Sequence, residues 1–314
     1  MVAKDKRNVL SAGKLKIVDA LVAGGFRLMG GIPPDCARTI GNRLGDMWFA
    51  FDRSRRRVAL ESLQQVFGAQ RSASEIRSLA RRVFRNLSRI IFEVSWAMQM
   101  DEKRFRRYVT ICGLHHYRQA IARKRGVLLM TAHCGNWELL TLVAAITRHP
   151  VGIVYRPFDF KPLDRFFRAF RSRFGAQMIP AAHAMRKIMR KLRNGDAVAI
   201  LFDQNVDWYE GVFVDFFGRR ACTNKGLALL ALQTGAPVVP VFMRRVARGF
   251  VAEIGPEVPL ARSGDKIRDI ETHMRRCNQV LEDFVRRYPD QWFWVHRRWK
   301  TKPYHAWPPN DCST

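Results

Sequence analysis

The sequence predicts an α/β fold: a mixed, largely parallel central sheet flanked by helices, with a helical N-terminal region. Two patterns carry this. From about residue 106, short apolar runs alternate with amphipathic stretches at the spacing of strand–helix–strand units. Before that point, apolar residues recur three and four apart, the period of helices with one buried face. At 47% hydrophobic and 26% charged, the 314 residues suffice for a sizeable core and exclude wholesale disorder.

The N-terminal helices are expected near 14–30, 35–50, 54–67 and 74–100. Ser72 or Ser74 caps the last, which sets Ile76, Leu79, Val83, Leu87, Ile90 and Val94 on one face beside a stripe of Arg77, Arg81, Arg85 and Arg89. Strands are expected at 108–111, 127–131, 151–155, 177–179, 197–202, 237–242 and 250–254. Helices fall at 115–125, 137–148, 162–174, 183–194, 223–234 and 265–287. The whole chain, 1–314, reads as one domain: a membrane-associating helix (14–32), a helical region (35–105) and an α/β core (106–303).

The chain carries 55 Lys+Arg against 27 Asp+Glu, a net charge of +28, which names an anionic partner: nucleic acid, an anionic membrane, or an acidic protein or ligand. Of the 55 cations, 42 are Arg, a bias that genome composition also produces. Cys36, Cys112, Cys134, Cys222, Cys277 and Cys312 are scattered, without CxxC or a zinc-like spacing, and read as reduced intracellular thiols. No metal or redox cofactor is implied. The N-terminus lacks a signal-peptide pattern. The apolar segment 17–32 is interrupted by Asp19, Arg27 and four glycines, whereas a bilayer span takes about 20 apolar residues. It suits a helix lying on a membrane or packed on the domain.

In open α/β sheets, sites lie at the carboxyl ends of strands. The strand at 127–131 runs into Ala132-His133-Cys134-Gly135-Asn136-Trp137-Glu138. On one helix His133 and Glu138 would diverge by about 140°, but a turn at Gly135 brings the carboxylate to the imidazole. A carboxylate on one ring nitrogen leaves the other free to take a proton from a hydroxyl, a triad without its own nucleophile. A single His at a strand end is more often structural, so the motif rests on its context. Cys134 as an acylated nucleophile is disfavoured, because adjacent side chains diverge.

The string resembles the H-x4-[DE] signature of the lipid A biosynthesis (late, secondary) acyltransferases, relatives of the glycerolipid acyltransferases. Further blocks match in order: Val154-Tyr155-Arg156-Pro157 with Leu163-Asp164 and Arg171; Asp203-Gln204; Phe216-Phe217-Gly218; residues 234–240 (TGAPVVP); and residues 288–300 (YPDQWFWVHRRWK). Cys134 and Trp292 depart mildly from the family pattern. The resemblance implies His133 as general base, Glu138 as its orienting partner and Arg171 as stabiliser of the thioester oxyanion. Asp203 and Gln204 would position the acceptor or support the site, with Asn136 and Arg156 as further candidates.

It also implies a membrane-associated O-acyltransferase at the cytoplasmic face of the cell inner membrane. Such an enzyme moves a fatty acyl chain from acyl carrier protein to a hydroxyl of a phosphorylated glycolipid, a lipid A precursor, and needs no cofactor besides that co-substrate. The alternatives are an acyl-CoA-dependent enzyme acting on a phosphatidylinositol mannoside or a glycerolipid, and, distantly, a nucleic-acid-binding protein, for which no motif is present. Residues 160–193 hold ten Lys/Arg and one acid, more than solubility needs, and suit anionic headgroups, acceptor phosphates or an acidic carrier. Phe216 and Phe217 fit an acyl tunnel or the core. Thr223 fits a helix cap, with or without an anion at the amides of Asn224 and Lys225. Trp292, Trp294 and Trp299 suit a lipid–water interface or core packing.

Overall fold

The computed structural model describes residues 12–147 and 149–303; Cys312 and the outermost ends of the expected single domain lie outside them. Four helices, α1 (Ala12–Gly30), α2 (Pro34–Phe51), α3 (Arg53–Phe67) and α4 (Ala73–Ala97), form the N-terminal region, with α1, α2 and α3 all packed on α4. Ser72 caps α4: its hydroxyl accepts from the Glu75 amide, while the Glu75 carboxylate accepts from the Ser72 amide. Gly45 brings α2 close to α4, since a Cβ there would lie 2.5 Å from Arg85 Cα. Arg81 and Arg85 share Asp46, and Arg89 donates to Asn42. Three members of the arginine stripe therefore fasten α2 to α4. No helix among the described residues is long and apolar enough to cross a membrane.

A short helix absent from the sequence reading, α5 (Glu102–Tyr108), is capped by Asp101 and leads into β1 (Val109–Cys112). Then follow α6 (Leu114–Ile121), β2 (Val127–Thr131), a 3₁₀ turn (Trp137–Leu139), α7 (Leu140–Thr147), β3 (Val151–Tyr155), α8 (Lys161–Ser172), β4 (Gln177–Pro180), α9 (Met185–Arg193) and β5 (Ala197–Leu201). The chain ends with β6 (Gly211–Phe216), β7 (Arg219–Asn224), α10 (Gly226–Thr234), β8 (Val238–Arg245), β9 (Phe250–Ile254) and α11 (Lys266–Arg287).

The main sheet has the order β1-β9-β8-β2-β5-β3-β4. Strands β8, β2, β5, β3 and β4 run parallel, and β9 turns antiparallel to β8 with β1 parallel beside it. The expected α/β class with a mixed, largely parallel sheet is the one observed. Central residues such as Val127, Leu128, Ala197 and Val198 are fully buried, as strands covered by helices on both faces require.

One element is added here, and one expectation is corrected. Residues 211–224 form an antiparallel hairpin, turned by Phe217 and Gly218 with φ of 54° and 71°. Paired positive φ marks a two-residue turn of type I′. Thr223 therefore lies in β7 rather than at a helix cap: its hydroxyl donates to the Ala221 carbonyl and accepts from Arg298, and α10 starts only at Gly226. The C-terminal aromatics settle as core: Trp292, Trp294 and Trp299 are buried around Phe216.

Candidate active site

His133 follows the end of β2, and the turn after it depends on glycine. Gly135 has φ of 57°, and a Cβ there would lie 2.4 Å from the Met243 carbonyl oxygen. The imidazole packs edge-on against Trp137 at 4.9 Å and stacks on Phe293 at 5.5 Å.

The carboxylate that holds this imidazole is Asp203, two residues past the end of the neighbouring strand β5. Asp203 Oδ1 lies 2.8 Å from His133 Nδ1. Its Oδ2 accepts from the His133 amide at 3.0 Å and from Trp292 Nε1 at 2.9 Å. Burial alone raises the Asp203 pKa, but the adjacent His133 charge and these hydrogen bonds outweigh it and hold the group at about 2. An ionised Asp203 fixes the proton on Nδ1 and makes Nε2 the accepting nitrogen. Gln204 Nε2 stands 3.4 Å from that nitrogen.

Glu138, expected against His133, instead faces Arg171 of α8. Arg171 Nε and Nη2 each donate to one Glu138 oxygen at 2.7 Å, and both side chains are buried. The physical reason is the turn: the chain reverses at Gly135, and Glu138 enters the 3₁₀ turn pointing towards α8 rather than back to the imidazole. Burial alone lowers the Arg171 pKa, and the Glu138 charge outweighs it, so the guanidinium is held above its usual value. Tyr155, Phe158 and Phe167 surround the guanidinium with their rings.

His133, Glu138, Arg171, Gln204 and Arg156 all line one cavity of about 320 Å³. It runs under the sheet face past Thr131 and Leu201, then past the in-register trio Leu129, Ala199 and Ile153, to Val151 and Tyr117. From His133 back to Leu129 is four residues of extended chain, about 13 Å. Away from these polar and charged residues its wall is largely apolar.

Other expected residues fall elsewhere. Asn136 is fully buried and donates to Glu93, which in turn holds Arg245; it does not line the cavity. Phe216 and Phe217 do not line it either: Phe216 is fully buried in the core and Phe217 packs beside it and Trp294. Cys134 is fully buried, and burial pushes its thiol well above the ordinary range, the opposite of an activated nucleophile. The sequence reading missed Trp292 as a donor to Asp203 and the aromatic box of Arg171. It also ranked Asp203 as support, although β2 and β5 end side by side and carry His133 and Asp203 into contact.

A histidine held by a buried carboxylate stands at the carboxyl edge of the parallel strands, in the lining of a largely apolar cavity. The chain belongs to the bacterial lipid A biosynthesis acyltransferases, whose family model matches residues 6–301. It is an acyltransferase. It is 28% identical to the lipid A biosynthesis lauroyltransferase of Escherichia coli K12 over 84% of this chain and 85% of that one. The palmitoleoyltransferase of the same organism is also 28% identical, with the same shares covered. A phosphatidylinositol mannoside acyltransferase of Mycolicibacterium smegmatis is 24% identical over 64% of this chain and 65% of its own length.

Proposed function

We propose that the chain transfers a fatty acyl group from an acyl-carrier-protein thioester to a hydroxyl of a lipid A precursor, at the cytoplasmic face of the inner membrane. The observation that carries this reading is the imidazole of His133, held through Nδ1 by Asp203, in the lining of a largely apolar cavity. The acyl chain lies along the cleft, which sets its thioester carbonyl beside the imidazole. The acceptor oxygen attacks that carbonyl as Nε2 takes its proton. Asp203 keeps the imidazole in the reactive tautomer and balances the imidazolium. Arg171 spends Nε and Nη2 on Glu138 and turns Nη1 to the developing oxyanion. Collapse of the tetrahedral intermediate breaks the carbon–sulfur bond, and the imidazolium returns its proton to the leaving thiolate.

Glu138 thus acts through Arg171, and the orienting role at His133 passes to Asp203. Gln204 and Arg156 flank the mouth, where a phosphorylated acceptor would present its hydroxyl. Membrane association is supported by two helices with exposed apolar stripes: Ile17, Leu21 and Leu28 on α1, and Ile40, Leu44, Met47 and Phe51 on α2.

The test is acyl transfer by purified wild type and His133→Ala, read by mass spectrometry with carrier-linked and CoA-linked donors. The acceptors are a lipid A precursor and a phosphatidylinositol mannoside. The expected result is carrier-dependent transfer to the lipid A precursor, lowered by roughly 10³-fold in the variant while vesicle binding is kept. Undiminished turnover by His133→Ala overturns the mechanism; preference for CoA or for the mannoside overturns the substrate assignment.

A further inference from the structure

A second recess, of about 550 Å³, lies between α3, the β6–β7 hairpin and the segment 297–302. Arg53, Arg57, Arg219, Arg297, Lys300 and Lys302 line it, all exposed, against a single carboxylate, Glu61. Several cations elsewhere are matched, Arg81 and Arg85 by Asp46, Arg171 by Glu138 and Arg245 by Glu93. For Arg53, Arg57, Arg297, Lys300 and Lys302 no ion pair is formed among the described residues. Arg298 and Trp299, buried in the wall of the same recess, leave Nε and Nε1 without an acceptor there. Like charges crowded together repel, and negative charge brought from outside relieves that repulsion.

Three features narrow the partner. The recess follows α3 from Arg53 to Gln65, twelve residues or about 18 Å of helix, a run too long for one phosphate and suited to an acidic helix. No large apolar side chain is exposed in it, unlike the stripes of α1 and α2, so it lacks what a bilayer would engage. It is also joined to the catalytic loop: Asn205 donates its amide to His296 and exchanges hydrogen bonds with Thr301, one residue beyond Gln204.

We infer that this basic recess is the docking surface for an acidic protein and, resting on the reaction proposed above, for the carrier that delivers the acyl thioester. A partner seated on 297–302 stands against the loop that positions Asp203 and Gln204.

The test compares the parent with Arg57→Glu/Arg297→Glu/Lys300→Glu, and with the milder glutamine triple should the first fail to fold. Binding of holo acyl carrier protein is measured in the His133→Ala background, where no turnover intervenes. The expected result is a Kd raised ~10-fold or more, with a weaker salt dependence. With His133 present, the KM for carrier-linked thioester rises by a similar factor, while turnover of a carrier-free pantetheine thioester is unchanged. Equal Kd and KM in parent and variants overturn the inference, as does a loss seen only in binding to anionic vesicles. Carrier binding that depends on the recess in a protein without thioester turnover supports the docking surface and counts only against the reaction.

Discussion

Arg171 meets Glu138 through two parallel hydrogen bonds of 2.7 Å, with side-chain exposures of only 10% and 8%. The pair joins α8 to the turn after β2 and sits in the wall of the cavity that His133 also lines. Breaking such a pair strands a buried charge, at a cost of about 3–5 kcal/mol. Glu138→Ala and Arg171→Ala are each expected to lose that much stability in denaturant titrations. The double variant Glu138→Leu/Arg171→Met should lose clearly less than the sum. Additive losses would mean the two residues act independently.

Asp203 is expected to matter for rate more than for substrate binding. Asp203→Asn keeps the shape but not the charge, and kcat should fall by ~10²–10⁴ with KM within a few-fold. Trp292→Phe removes only one donor to Asp203, so a drop of about 10-fold is expected, together with a shift of the pH–rate profile. Steady-state kinetics with a carrier thioester checks both; wild-type kcat in Asp203→Asn would take the carboxylate out of the mechanism.

His296 gives a pH signature in stability. Burial lowers its pKa to about 4, and its Nε2 accepts the Asn205 amide, which requires the neutral ring. The unfolded chain takes up this proton below about 6.5, while the folded protein resists until about 4. Stability therefore falls as pH drops between those values and levels off below them. His296→Gln retains an acceptor without a titration, so its melting temperature should depend less on pH across that window. Identical slopes for the two proteins would contradict the assignment.

Two glycines in neighbouring helices should respond in opposite directions. At Gly45 a new methyl meets the Arg85 backbone at 2.5 and 2.7 Å, so Gly45→Ala is expected to destabilise by about 1–3 kcal/mol despite better helix propensity. At Gly24 nothing lies within 4 Å, and Gly24→Ala should stabilise by about 0.5–1 kcal/mol. Thermal melts of the two variants suffice to check the pair of signs.

Periodicity determined most of the architecture. Strands 127–131, 151–155 and 250–254 form at the expected residues, and the α4 cap forms at Ser72, because these signals are local: apolar runs bounded by turns, and a hydroxyl three residues before a glutamate. The hairpin at 211–224 was also encoded locally, but its turn places Phe217 where glycine or asparagine is usual, which hid it. The family motif likewise located His133, Glu138 and Arg171 along the chain.

Which carboxylate serves which base was beyond the sequence by itself. Glu138 is five residues from His133 and Asp203 is seventy, yet the nearer acid pairs with Arg171 and the farther one holds the imidazole. Hydrogen bonds are made in space. Only the parallel pairing of β2 with β5, and the reversal at Gly135, decide which side chains lie within 3 Å. The positive charge follows the same rule: its excess is plain from composition, but folding pairs some arginines internally and leaves others gathered along α3 and the C-terminal segment.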